Sequence, residues 1–424
     1  MRYLFGFLCV CAIGLMSTVG CGPETGVMLC QGVMCDDDGN ECTDDVCNPA
    51  DGTCGVPVED GTVCSELTPK RGECLDGVCA PVGAFPCTEQ GIRDAVAAAG
   101  GPHFFACDGP QTIATKSTIE VTKHVSLFGE GNITVDGNAN EAGEGHPVFS
   151  VDTGDDLGLE LRGVGVTGGG CPSGSTCVAT GIVLEEGSFL SLNESVVWNN
   201  AHGGIYKKGG ANLFLYSSTV ADNGSLNVHN GGGILEIVRS TVSGGDAARP
   251  EDAVGIRNSG RLMMRNSTVS EGPGVGILQS GNTARLLNAT VSSNAGVGLQ
   301  ASDGSVVNVR ATIVDGVCSH DLASSVISEG YNIESTDDTC GFDQLTDQVE
   351  VRTEDLNLGP LAANGGPTMT HALLTEPVVS VAIDAIPEAE CLDGDEPVDY
   401  DQRGEWRYGQ PCDVGAFERQ PEDP

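Results

Sequence analysis

A phrase of about 22 residues recurs along the middle of this chain: an apolar residue with Gly-Ile, a Gly, Leu-x-Leu, then Ser-Thr-Val, often closed by Asn. The last apolar residue of the Ser-Thr-Val element falls at Val197, Val220, Val242, Val269, Val291 and Ile313, at spacings of 23, 22, 27, 22 and 22. Gly-Ile elements precede these markers at Gly181-Ile182, Gly204-Ile205, Gly255-Ile256, Gly276-Ile277 and Gly298-Leu299, with Gly187, Gly210, Gly260, Gly281 and Gly304 between. Each repeat therefore reads as three short strands separated by turns. Alternation such as Leu213, Phe214, Leu215, Tyr216 has period two, and no stretch here keeps a 3.6 period long enough for a helix. Strands this short cannot bury a face alone. A coil of three, stacked on the next at about 4.8 Å, aligns Leu on Leu and Val on Val in one interior. The expected fold is all-β, a right-handed parallel β-helix of roughly ten or eleven coils. Asn200, Asn223 and Asn294 stand three residues past their markers, and Gly245, Gly272 and Gly316 replace them in other coils. These read as structural turn residues, since both types tolerate the left-handed conformation and stacked Asn side chains can bond along a ladder.

The start of the chain has Met1-Arg2, an apolar run from Tyr3 to Met16, then Ser17-Thr18-Val19-Gly20-Cys21. Residues 1–20 read as a secretory signal peptide, too short for a stable membrane span. The small residue before cysteine resembles the bacterial lipoprotein signal, although Thr18 stands where Leu is usual. That resemblance implies lipidation at Cys21, a membrane lipid as partner through this anchor, and, with Gly22 following, the outer membrane or cell surface. Of 19 cysteines, Cys9 and Cys11 fall in the signal and Cys21 at the lipid, leaving 16, the even number expected of an oxidised exported protein. Eight beyond residue 80 fall in close pairs: Cys87 with Cys107, Cys171 with Cys177, Cys318 with Cys340, and Cys391 with Cys412. Cys318 and Cys340 are one coil apart, which sets their Cα atoms about 5 Å from each other, within disulfide range.

The chain carries 60 acidic against 20 basic residues, a net charge of −40. Such a field repels nucleic acid and anionic lipid, so no nucleic-acid partner is expected, and acidic polysaccharides are repelled unless divalent cations bridge them. Residues 21–82 form a Cys-rich module with Cys30, Cys35, Cys42, Cys47, Cys54, Cys64, Cys74 and Cys79 and almost no apolar periodicity. Disulfides must hold it, in one of about 105 pairings. Zinc is disfavoured because the module has no His. A calcium loop at Asp36, Asp38 and Asn40 is disfavoured because Gly39 comes early and Cys47 occupies the twelfth position, so no cofactor is expected. Residues 88–99, TEQGIRDAVAAA, form the one convincing helix, with Thr88 as cap and Ile92 and Val96 on one face, placed to cover the first coil of a β-helix spanning 83–345.

Near the far end stand LGPLAANGGPTMTHALL (358–374), AID (382–384), DQRG (401–404) and CDVGAFE (412–418). These blocks closely resemble the C-terminal signature of the choice-of-anchor Q proteins, bacterial surface β-helix proteins related in fold to pectate lyases. The match departs at Ala363, where Asp is usual, and at the interruption 376–381. It implies the fold, a surface location, and a C-terminal region of the same type at 346–418, followed by a tail at 419–424. It implies no reaction. Asp384, Asp401, Arg403 and Asp413 are expected to pair inside a packed end cap.

Catalytic patterns fit poorly. Gly154-Asp155-Asp156, His202-Gly203 and Arg257 imitate the order of polygalacturonase-like enzymes, but Asp155 to His202 is 47 residues, two coils where one is needed. No coil-spaced column of acids offers the calcium cluster of a lyase, and Lys207-Lys208 reads as an exposed turn. The better lead is the outward face of the strand before each marker, six and four residues upstream. There stand Ser191 and Asn193, Phe214 and Tyr216, Glu236 and Val238, Met263 and Arg265, Arg285 and Leu287, Val307 and Val309. Phe214, Tyr216, Met263, Arg265, Arg285 and Leu287 form the candidate contact strip for a polysaccharide or a surface protein, unless residues 346–418 fold back over it. The sequence therefore points to a non-catalytic surface binding protein, against two alternatives: a polysaccharide lyase or hydrolase, and a structural envelope protein.

Overall fold

The computed structural model describes residues 35, 42–47, 53–57, 63–64, 72–75, 78–81 and 83–423, apart from 139–144, 155–156, 172–179, 246–252, 395 and 408–409. Cys21, the Asp36–Asn40 loop, Asp155-Asp156 and Cys177 lie outside the described residues. From residue 100 onward the chain winds into about ten turns of roughly 23 residues, a parallel β-solenoid. Each turn contributes one strand to each of three parallel sheets. One turn shows the pattern: Gly203–Lys207 in the first sheet, Asn212–Tyr216 in the second, Thr219–Ala221 in the third.

Register puts like on like. Leu190, Leu213, Leu235 and Leu262 stack in one interior column, and Ile182, Ile205, Val228, Ile256 and Ile277 in another, all at 1% exposure or less. The third-sheet column runs Val197, Val220, Val242, Val269, Val291 and then Val314, not Ile313. Ile313 points outward, into a second apolar cluster with Ile333, Leu373, Val414 and Phe417 beneath the C-terminal segment. The last repeat is thus 23 residues, and its outward second-sheet residues are Asn308 and Arg310, in register with Arg285 and Leu287; Val307 and Val309 are interior.

The corners explain the rest of the repeated phrase. Between second and third sheets, one residue per coil turns left-handed: Glu194, Ser217, Arg239, Asn266, Asn288 and Ala311, with φ of 50, 48, 50, 47, 48 and 50°. The serine that follows builds a ladder. Ser195 donates its backbone N–H to Ser218 Oγ (3.1 Å), Ser218 to Ser240 Oγ (3.1 Å) and Ser240 to Ser267 Oγ (3.1 Å). Each of these four hydroxyls donates in turn to the carbonyl two residues back, at 2.8–2.9 Å. The four serine hydroxyls of this buried corner are satisfied inside the protein, while Asn266 Oδ1 beside them has no hydrogen-bond partner among the described residues. Ser240→Ala removes one rung and is expected to cost about 1–2 kcal/mol, read as a fall in the urea midpoint without a change in m value.

At the opposite corner Asn200 and Asn223 act differently from expectation. They are not left-handed; the residues before them, Asn199 and Asp222, are (φ 50 and 52°). The asparagines are buried, and their amides form the ladder: Asn200 Nδ2 donates to Asn223 Oδ1 (2.8 Å) and Asn223 Nδ2 to Asn227 Oδ1 (2.9 Å).

The helix α1, Glu89–Ala98, covers the first coils with Ile92 and Ala95, capped by Thr88 Oγ1, which accepts from Gly91 N (3.1 Å). Disulfides join Cys87 to Cys107, Cys318 to Cys340 (Cα–Cα 4.8 Å) and Cys391 to Cys412. Cys171 is also disulfide-bonded. In the Cys-rich module, Cys35 pairs with Cys54 and Cys42 with Cys74.

The C-terminal segment from residue 358 lies along the outward face of the third sheet. Thr241 Oγ1 donates to Met369 O (2.6 Å), Thr268 Oγ1 to Gln402 Oε1 (2.7 Å), and Ala416 N to Thr290 Oγ1 (3.0 Å). So each letter of Ser-Thr-Val has a separate role: Ser bonds the corner, Thr holds the C-terminal segment, Val fills the interior. The end cap pairs Arg403 with Asp401 (2.9 Å) and Asp423 (3.0 Å), with the Arg403 guanidinium 3.8 Å over Phe417. Arg407 and Glu418, not foreseen, form a fully buried pair at 2.8 Å. Asp413 accepts the N–H of Asp384 (2.7 Å), whose own side chain is exposed and outside the pairing.

Candidate binding groove

Left-handed corner residues bend the chain between the second and third sheets into an elbow. Its second-sheet wall is one outward column: Phe104, Phe128, Arg162, Asn193, Tyr216, Val238, Arg265, Leu287, Arg310. The third-sheet wall is the column Gly165, Val196, Thr219, Thr241, Thr268, Thr290. The strip read from sequence belongs to this groove and to the second-sheet surface beside it, and the structure divides it.

Its downstream part is clamped by the C-terminal segment. Arg265 and Arg285 share the Asp393 carboxylate at 3.1 and 2.5 Å, Arg285 also reaches Glu329 (3.4 Å), and Arg310 reaches Glu390 (3.5 Å). Leu287 is 2% exposed. A cleft of about 110 Å³ remains between Met263, Arg265, Arg285, Leu287 and Asp393. Residues 346–418 therefore engage the arginines of the strip while lying chiefly on the third sheet.

Phe214 and Tyr216 are half-buried in a cluster of their own. Their rings stack at 6.1 Å, and Phe189 lies 5.4 Å from Phe214. Burial, aided by the Glu236 carboxylate at 3.3 Å, pushes the Tyr216 phenol up to about 12.

Upstream of Met369 the elbow is open among the described residues. One cavity of about 580 Å³ lies between Phe104, Phe128, Glu130, Arg162 and Glu194. Another of about 420 Å³ lies between Val196, Trp198, Thr219, Asp222 and Met369. The two share Gly131, Gly163 and Glu194 and so form one trough. Phe104 meets Phe128 edge-on at 5.5 Å, and Arg162 sits 5.6 Å over Phe128 and 3.7 Å from Glu194. Trp198 lies against Gly165: a Cβ there would stand 2.8 Å from the ring carbons Cη2 and Cζ3. No signal in the strip pointed here, because the trough comes from the bend between strands and from the short reach of the C-terminal segment.

The polygalacturonase-like imitation does not assemble in the described residues: His202 is exposed on a turn, and Arg257 follows Tyr206 and His229 on the outward first-sheet face. His229 stacks on Tyr206 at 4.6 Å, and burial together with the Arg257 and Lys207 charges lowers its pKa. Lys208 is exposed and pairs with Glu185 (2.6 Å), but Lys207 is fully buried, bonded to Asn230 Oδ1 and Gly232 O, with desolvation lowering its pKa to about 8. Among the described residues no cluster of three or more His, Cys, Asp or Glu could hold a metal, and no helix is long and apolar enough to cross a membrane.

A family model described as a right handed beta helix region matches residues 180–343. Comparison with the curated proteins and with the solved structures finds no match. The stacked register and this match over residues 180–343 agree on a right-handed parallel β-helix fold.

Proposed function

We propose that the protein is a non-catalytic cell-surface lipoprotein, anchored through Cys21, that takes an extended polymer into the open part of the elbow groove. The observation that carries this reading is that one continuous groove is filled by the chain's own C-terminal segment downstream and left as an aromatic-walled trough upstream. Five wall positions from Phe104 to Tyr216 span roughly 19 Å at one coil per 4.8 Å, long enough for an extended chain. The acidic surface keeps such a rod soluble and discourages polyanions.

Hydrolysis is the second reading, and one pair favours it. Glu130 and Glu194 flank Gly163, about two coils or roughly 10 Å apart, close to the separation of an inverting glycosidase. Both side chains stand in water, and Glu194 is held by Arg162. Binding is therefore favoured over a reaction that needs a water-excluded bond.

The test is retention of the purified mature protein on arrays of oligosaccharides and of peptides, with product analysis for new chain ends. Val196→Trp, at a 39%-exposed wall position, fills the trough. We expect retention on one array, at least tenfold weaker in the variant with the same melting temperature, and no cleavage. No retention on either array, retention indifferent to Val196→Trp, or new chain ends would each refute the proposal.

A further inference from the structure

We infer that the open trough takes a neutral glycan, an inference that rests on the binding role proposed above. The filled half of the groove shows what docking a polypeptide here requires. Under the C-terminal segment the outward third-sheet columns are hydroxyls, Thr241, Thr268 and Thr290 beside Ser243, Ser270 and Ser292. They bond that segment directly: Thr241 to Met369 O, Thr268 to the Gln402 amide, Ser270 to His371 Nε2 (2.7 Å), Thr290 to Ala416 N. In the open half the same two columns change character. One becomes Thr134, Gly165, Val196 and Thr219, and the other becomes Trp198 and Ala221. A backbone laid there would lose most of the hydroxyls that satisfy it downstream, and its unpaired amides would be costly.

What replaces the hydroxyls is flat apolar surface with acceptors at its edge. Trp198 is laid over Gly165, and Phe104 and Phe128 stand on the facing wall. The C–H faces of pyranose rings stack on such aromatics, while their hydroxyls donate to carboxylates at the rim. Glu130, Glu194 and Asp222 supply those acceptors, with Arg162 the only cation lining either cavity among the described residues. This excess of carboxylate turns away uronic acids and sulfated sugars. A hexose unit of an extended chain is about as long as one coil is thick, so successive rings meet successive coils.

The experiment uses the mature protein carrying Trp406→Phe, which leaves Trp198 as the sole tryptophan. Its fluorescence is titrated with cellohexaose, mannohexaose, hexagalacturonate and a Lys/Ser/Gly hexapeptide. A saturable change with at least one neutral hexasaccharide is expected, and at least tenfold weaker binding of hexagalacturonate. Gly165→Ala, which lifts the indole off its seat, is expected to weaken neutral-glycan binding at least tenfold with the melting temperature kept. Should that variant prove unstable, Phe128→Ala read by calorimetry must show the same loss. Groove-dependent binding of the peptide alone would overturn the glycan assignment and leave the binding role standing. Equal or tighter binding of hexagalacturonate, or binding unaffected by Gly165→Ala and Phe128→Ala, would overturn the assignment, and silence with every probe and on both arrays would overturn the role as well.

Discussion

Replacing Arg407 by Met is expected to cost about 3–5 kcal/mol, the usual penalty for leaving one charge of a buried pair without its partner. The guanidinium is fully buried and donates to Glu418 Oε2 (2.8 Å), Asp413 O (3.0 Å) and Gly415 O (2.6 Å). Removing it strands Glu418, 1% exposed, and frees two carbonyls of the loop that closes the C-terminal segment onto Thr290 and Ala311. In a chain of this size the thermal midpoint should fall by on the order of 5–10 °C. The loss should be specific to the stranded charge. The double variant Arg407→Met, Glu418→Gln keeps an acceptor for Asp413 N and should recover at least half of it. Burial already raises the pKa values of Glu418 and Asp413 against the pull of Arg407. Without the cation the folded state binds a proton at Glu418 more tightly still, so it gains over the unfolded chain as pH falls. With Glu418 already raised to about 8 in the parent, the deficit of the single variant should shrink as pH falls from about 9.5 toward 8. A double variant as unstable as the single one, or a deficit flat in pH, would show that loop bonding and not charge is at stake.

Much of this architecture was legible because a solenoid repeats its own test. A residue read as interior in one coil must be interior in the next, and Leu190, Leu213, Leu235 and Leu262 satisfy that without any knowledge of the distant chain. Errors arose where something outside the repeat intervened. Ile313 looked like the interior residue because Thr is the usual occupant of its position; an apolar residue stands there because the C-terminal segment covers it. The Asn turn was assigned its left-handed residue one position late, since a buried amide and a positive φ are adjacent and equally suited to Asn. The groove is the larger omission. Alternation shows which way a side chain points but not how two sheets are angled, so Phe128, Arg162 and Trp198 could not be brought together from sequence. Nor could the far segment's reach, which leaves Thr219 beside a cavity and places Thr241 under Met369.

Lys207 was misread for a reason that the register makes plain, and it carries the second large expectation. Aligned on Leu184, it falls in an inward column that continues Asn230, Asn258, Gln279 and Ala301. The amides below it form a closed chain: Asn230 Nδ2 donates to Asn258 Oδ1, Asn258 Nδ2 to Gln279 Oε1 (2.6 Å), and Gln279 Nε2 to Gly260 O (3.0 Å) and Gly281 O (2.6 Å). Lys207 tops this ladder with a charge, and desolvation lowers its pKa from 10.5 to about 8. The folded protein therefore holds this proton less tightly than the unfolded chain. Stability contributed by the neutral amine is present above 10.5, declines as pH falls toward 8, and is gone below it. At pH 7 the folded state carries the ammonium at a cost of roughly 3 kcal/mol, by the worth of one pKa unit. Lys207→Met matches the apolar neighbour Leu184 in volume and shape, and Asn230 Oδ1 keeps the Gly232 N–H (3.2 Å). The variant should be more stable than the parent by about 1–2 kcal/mol at pH 7, the remainder being offset by the lost bond to Gly232 O. The difference should narrow as pH rises from 8 to 10, and Tyr216, common to both proteins, cancels from it. Paired urea titrations at pH 7, 8.5 and 9.5 measure this directly. A methionine variant less stable at every pH would mean that the ammonium's bonds to Asn230 and Gly232 outweigh its desolvation, and that the cation caps the ladder as a favourable element of the core.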